Sequence, residues 1–190
     1  MTGGRNGNQE SLNTTEIFKA GLWTPGPELL YSLYNHCQVQ VGGQVIIAGG
    51  RLGSDAVGRS WVMEGETWKE VGGMTKGRQF HACAELSGKV YSIGGETANS
   101  ELLSSVEVYD PVTGRWTPGP ELPVGMKYAQ AVTFQNMIYL LAGEINGGIA
   151  NLQMFTLTAD GSDWQSGAGV EERFRTVFPA QVVTHNLINC

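Results

Sequence analysis

The side chains able to bind a metal or attack a substrate are few. Three histidines, His36, His81 and His185, and three cysteines, Cys37, Cys83 and Cys190, are spread over 190 residues. A copper or zinc centre needs imidazole and other donors converging on one point. These histidines lack metal-ligand spacing, so no metal and no cofactor is expected. An odd number of cysteines without a close pair argues against a disulfide framework. The three thiols are therefore expected reduced, with Cys37 and Cys83 as small buried hydrophobes on equivalent strands. Gly49-Gly50-Arg51-Leu52-Gly53 has the glycine density of a phosphate loop, but no helix follows to hold the anion. No Gly-x-Ser-x-Gly elbow is present, and Glu171-Glu172 reads as a solvated loop. No catalytic residue is assigned.

Composition narrows the partners. Twelve Lys+Arg stand against 18 Asp+Glu, a formal net charge of −6. Phosphate backbones and anionic membranes select basic clusters, and none stands out, so neither nucleic acid nor membrane is an expected partner. No apolar run is long enough to span a bilayer. Met1 to Glu10 is polar and glycine-rich, without the apolar core of a signal peptide. The expected compartment is cytoplasmic. The glycosylation acceptor motif Asn13-Thr14-Thr15 keeps a secreted protein open as the alternative.

The elements that would position any site come from a repeat. Glycine pairs stand at Gly3-Gly4, Gly49-Gly50 and Gly94-Gly95, with a degraded pair at Ala142-Gly143, and the spacings are 46, 45 and 48 residues. Trp23, Trp68, Trp116 and Trp164 keep phase with them, each of the first three preceding the next pair by 26 residues. Trp23-Thr24-Pro25-Gly26-Pro27-Glu28-Leu29 recurs unchanged as Trp116 to Leu122, and His36 and His81 each follow their tryptophan by 13. Each unit reads as four short strands. In one of them, Gln79 to Leu86 is a first strand and Lys89 to Ile93 a second that ends in glycines. Ser105 to Tyr109 alternates as a third strand, and Asp110 to Gly114 has turn chemistry before a fourth at Arg115 to Thr117. Such units are propeller blades: a blade buries both its faces by stacking on neighbours, and the large tryptophan is expected between them.

The stretch Ile93-Gly94-Gly95, then Val108-Tyr109-Asp110-Pro111, then Trp116 resembles the Kelch repeat. The other units depart from it at Phe18-Lys19, Val62-Met63 and Phe155-Thr156, where the third has Tyr109-Asp110, and at Ala142 in place of a glycine. The resemblance implies an all-β Kelch-type β-propeller with four repeats, Gly3, Gly4, Gly49, Gly50, Gly94, Gly95 and Gly143 closing strands and Trp23, Trp68, Trp116 and Trp164 packing. It divides the chain into whole blades at 31–70, 76–117 and 125–165, with outer strands of a split blade over 1–30 and inner strands over 166–190. Two arrangements follow: a piece of a larger propeller, which is favoured, or a four-bladed ring closed by Leu187 to Cys190 beside Met1 to Gly4. The resemblance further implies a non-catalytic protein-binding module, similar to the propellers of BTB–Kelch ubiquitin-ligase adaptors or to actin-associated scaffolds. In those, loops after the glycine pair and before the innermost strand face the partner. The corresponding residues are Arg51, Arg78, Lys127 and Arg175, with Tyr34, Phe80 and Tyr128 beside them. Arginine and aromatic residues of this kind suit an acidic peptide segment. A carbohydrate-acting Kelch enzyme and a secreted adhesion or lectin-like module are the alternatives.

Overall fold

The computed structural model describes residues 1–169. Arg175, Glu171-Glu172, His185, Cys190 and nearly all of the expected inner strands over 166–190 lie outside the described residues. The chain opens with a hairpin of β1 (Glu16–Lys19) and β2 (Leu22–Pro25). It continues through β3 (Cys37–Val41) and β4 (Gln44–Ala48), a short hairpin of β5 (Arg51–Leu52) and β6 (Asp55–Ala56), then β7 (Ser60–Glu64) and β8 (Thr67–Val71). The next unit holds β9 (Ala82–Leu86), β10 (Lys89–Ile93), β11 (Val106–Asp110) and β12 (Arg115–Pro118). The last holds β13 (Gln130–Phe134) and β14 (Met137–Leu141). A small hairpin of β15 (Glu144–Ile145) and β16 (Ile149–Ala150) follows, closed by a 3-10 turn over Asn146–Gly148, then β17 (Gln153–Leu157) and β18 (Trp164–Gly169). The large sheets are antiparallel and four-stranded, in the orders β3-β4-β7-β8, β9-β10-β11-β12 and β13-β14-β17-β18. Among the described residues, no helix is long and apolar enough to cross a membrane.

Side chains alternate along a strand, so each sheet offers apolar residues on both faces. On β4, Ile46 and Ala48 face one way and pack with Cys37, Val41 and Val62 against Val90, Tyr109 and Trp116 of the second blade. Ile47, between them, faces the other way and packs with Trp61 and Trp68 against Leu29 and Leu33. The second blade repeats the scheme: Ala82, Ala84, Leu86 and Ile93 lie against Leu140, Phe155, Leu157 and Trp164 of the third. The core is therefore a series of layers between blades, not one centre.

The repeating tryptophans fill those layers. Trp68 Nε1 donates to the Pro27 carbonyl at 2.9 Å, Trp116 Nε1 to Ser60 Oγ at 3.1 Å, and Trp164 Nε1 to the Pro120 carbonyl at 2.9 Å. Each indole thus buries its rings and satisfies its N–H on the preceding unit, as a buried tryptophan must. Trp23 departs from the expectation drawn from its phase: it is 56% exposed and stacks on Phe18, ring centroids 5.1 Å apart.

The glycine pairs have a geometric cause. Gly49 and Gly50 adopt φ of +63° and +96°. A Cβ on Gly49 would lie 2.6 Å from His81 Cε1, and one on Gly50 would lie 2.8 Å from the Tyr34 carbonyl oxygen. Left-handed backbone and near-contact between blades both demand the missing side chain. The close approach lets Gly50 N donate to the Arg78 carbonyl at 2.8 Å, tying one blade to the next. Ala142 takes the first position of the degraded pair in the same conformation, with φ of 57°.

Candidate functional site: the loop end of the inner strands

β3, β9 and β13 lie side by side as the innermost strands of their blades. Just before each of them the chain pairs with the residue following the glycine pair: Tyr34 with Arg51, Gln79 with Glu96, and Lys127 with Glu144. The next residues, Asn35, Phe80 and Tyr128, all have left-handed backbone, with φ of 56°, 56° and 59°. Their amides run from blade to blade, Phe80 N donating to the Asn35 carbonyl and Tyr128 N to the Phe80 carbonyl. Left-handed backbone is unusual for aromatic residues and costs on the order of 1–3 kcal/mol at each. Here it aims both rings at one another, with centroids 4.5 Å apart. A cavity of about 290 Å³ opens below them, lined by Phe80, Tyr128, His81, Cys83, Ala129 and neighbouring residues.

A polar belt crosses the three blades at this end. Asn35 Nδ2 donates to Gln79 Oε1 at 3.1 Å, and Gln79 Nε2 donates to Glu96 Oε1 at 3.1 Å. Lys127 Nζ then reaches Glu96 Oε2 at 2.8 Å and Glu144 Oε1 at 3.4 Å. Burial opposes the charged form of Lys127, but the hydrogen bond and charge of Glu96, aided by Glu144, raise its pKa overall. At the first blade and the N-terminal segment beside it the charge is reversed. Arg5 is exposed, its Nη2 donates to the Tyr34 hydroxyl at 2.8 Å, and its guanidinium lies 4.0 Å from the Tyr34 ring centroid. Arg51 Nε donates to the Gly53 carbonyl at 3.3 Å, and among the described residues the side chain has no ion pair. The loop end is therefore basic around Arg5 and Arg51 and acidic around Glu96 and Glu144.

Arg78 was expected to face a partner and does not. Its side chain is fully buried, and its guanidinium donates to the Gly94 carbonyl at 3.0 Å, the Ser105 carbonyl at 2.7 Å and Glu107 Oε1 at 2.9 Å. Burial lowers its pKa, against the opposing charge and hydrogen bond of Glu107. It clasps the approach to β9 onto the ends of β10 and β11. Tyr34 is also largely buried, and Lys127 is committed to its two carboxylates, whereas Phe80 and Tyr128 remain partly exposed.

The expectation of reduced thiols at Cys37 and Cys83 is likewise corrected, because the two form a disulfide between β3 and β9 with their Cα atoms 5.9 Å apart. The physical reason lies in the register. His36 and His81 are separated by 45 residues, Cys37 and Cys83 by 46. That offset of one puts the two cysteines on opposite faces of their strands, so that they meet across the gap between blades. Both histidines sit beside them. Burial pulls His36 down to about 4, a hydrogen bond to the Thr2 backbone opposing it. Burial, aided by the charges of Arg78 and His36, pulls His81 down to about 3.

Residues 77–123 match the Kelch motif. Human Kelch-like protein 35 is 28% identical over 130 residues, covering 67% of this chain and 22% of its own length. The F-box/kelch-repeat protein At1g67480 of Arabidopsis thaliana is 35% identical over 88 residues, 46% of this chain and 23% of that one. The chain is a Kelch-repeat protein. It spans about a fifth of the length of these curated relatives. The solved structure of YjhT shares the fold at a TM-score of 0.73 with 16% identity, over 90% of this chain and 65% of that one.

The sequence reading named Arg51 after its glycine pair and passed over the residues at the equivalent positions of the other repeats. The residue after the glycine pair is Arg5, Arg51, Glu96 and Glu144 in successive repeats. Aligning that column would have exposed both the second arginine and the acidic half. Gln79, which links two blades of the belt, carried no signal beyond its place before β9.

Proposed function

We propose that this Kelch domain is a non-catalytic protein-binding module whose loop end receives a partner segment, as in a substrate-recognition subunit of a ubiquitin ligase or an actin-associated scaffold. One observation carries the reading: the paired loops of the three blades bring Arg51, Phe80 and Tyr128 to one end of the inner strands, where Arg5 of the N-terminal segment joins them through Tyr34. Rigid aromatic anchors beside arginine are the usual energetic centre of an interface. Strained backbone at Phe80 and Tyr128 is consistent with selection for position over stability. An acidic partner segment suits the Arg5–Arg51 side, where the guanidinium groups can make charge-assisted hydrogen bonds. The names of the Kelch-like and F-box/kelch-repeat relatives support the adaptor reading.

The test is selection of peptides from a displayed library on the purified chain, followed by affinity measurement. Acidic, aromatic-containing peptides are expected. Arg51→Glu combined with Arg5→Glu should weaken them at least 10-fold, and Phe80→Ala should weaken them similarly. Equal weakening by Val112→Ala, at an exposed outer turn, would refute the assignment of this end.

A further inference from the structure

The cysteine pair and its neighbouring histidine make a ligand set that the proposed binding role does not use. The donor atoms of Cys37, His81 and Cys83 all lie within 4.8 Å of one another. His81 is 7% exposed, and neither ring nitrogen has a hydrogen-bond partner of good geometry. The Ala48 backbone lies near it but short of good hydrogen-bond geometry, so the buried imidazole forgoes most of the stabilisation that buried polar groups obtain. Its placement against two sulfurs gives it a role that packing does not.

We propose that, once the disulfide is reduced, Cys37, Cys83 and His81 form a zinc(II) site between the first two blades. Two thiolates and one imidazole are a recognised zinc donor set, with the fourth position left for water or another small ligand. Tetrahedral zinc with bonds near 2.3 Å to sulfur sets the two sulfurs roughly 3.8 Å apart, so on reduction they must separate from bonding distance by side-chain rotation, while their strands stay in place with Cα atoms 5.9 Å apart. All three residues line the cavity beneath Phe80 and Tyr128, which gives the metal a path in and leaves the fourth position accessible. The reaction balances simply. A dithiol donates two electrons and two protons to the S–S bond and leaves as its own cyclic disulfide. Zinc then replaces the two thiol protons, which go to solvent. The blade interface thus carries either a covalent bond or a metal, set by the redox poise around it.

The experiment uses the full chain carrying Cys190→Ser, so that no third thiol contributes. The protein is reduced with a dithiol, desalted without oxygen and checked by circular dichroism. Zinc is then titrated against a chromophoric chelator, and cobalt(II) is substituted to show thiolate-to-metal charge transfer. One equivalent of zinc is expected in the reduced form, bound at least 100-fold more tightly than by the oxidised form. His81→Gln, which leaves the disulfide able to form, should weaken binding at least 10-fold, and Cys83→Ser should abolish the charge-transfer band. Three results would overturn the proposal: equal binding by the reduced and oxidised forms, wild-type affinity in His81→Gln, or loss of the fold on reduction. The last counts because the blades themselves, not the S–S bond, must hold the donors together.

Discussion

Removing the Glu107 carboxylate should be among the most damaging single changes in the domain. Arg78 is fully buried and Glu107 nearly so, at 2% exposure, and their contact is 2.9 Å. Glu107 also accepts hydrogen bonds from the amides of Thr75 at 2.8 Å and Lys76 at 3.1 Å. Glu107→Ala strands a guanidinium that cannot shed its proton, and it leaves two backbone N–H groups without their acceptor. Breaking a buried pair from one side costs about 3–5 kcal/mol, and each orphaned donor about 1–3 kcal/mol where water cannot replace it. These contributions overlap, so a total near 4 kcal/mol is expected, equivalent to a Tm lower by roughly 8–16 °C for a chain of this size. Thermal and urea melts followed by tryptophan fluorescence measure it. The double variant Arg78→Met, Glu107→Leu should recover most of the loss, because it removes the desolvated charge together with its partner. A loss below about 1 kcal/mol in Glu107→Ala, the range of an exposed pair, would refute the reasoning. So would a double variant no more stable than the single one.

Two further outcomes follow from burial. Trp116→Ala should cost about 3–5 kcal/mol, since the indole fills a layer between blades and bonds Ser60, whereas Trp23→Ala, at a 56% exposed position, should cost much less; paired urea titrations decide it. His81 titrates near 3 in the fold against 6.5 in the unfolded chain, so between those values the unfolded state binds the extra proton and stability falls as pH falls. The slope approaches about 1.4 kcal/mol per pH unit for this group, His36 adds in the same direction, and His81→Gln should flatten the dependence between pH 6 and 4.

The blades were legible because their information is periodic. Glycine pairs, tryptophans and the Trp-Thr-Pro-Gly-Pro-Glu-Leu segment recur at a fixed phase, and each marks a backbone requirement that any homologous blade must meet. The left-handed glycines end a strand where the next blade's backbone comes within contact distance. The tryptophans satisfy their N–H on the preceding unit. Such constraints repeat because the blade repeats, and a single chain shows them without any relative for comparison.

The site was less legible because it depends on what breaks the repeat. Arg78 stands where an exposed arginine would suit a partner, and nothing local distinguishes that case from burial. What decides it is Glu107, 29 residues away on the third strand of the same blade, a contact that no local pattern around Arg78 announces. The cysteines teach the same lesson through parity. A separation of one full period would have put both side chains on the same face of successive blades, pointing in the same rotational sense and unable to meet. One residue more turns Cys83 to face Cys37, and His81, still in phase with His36, is left beside the pair. In a stacked fold the period tells which residues are equivalent, and departures from it by a single residue tell which ones touch. Reading function from such a sequence therefore means searching for what is out of phase.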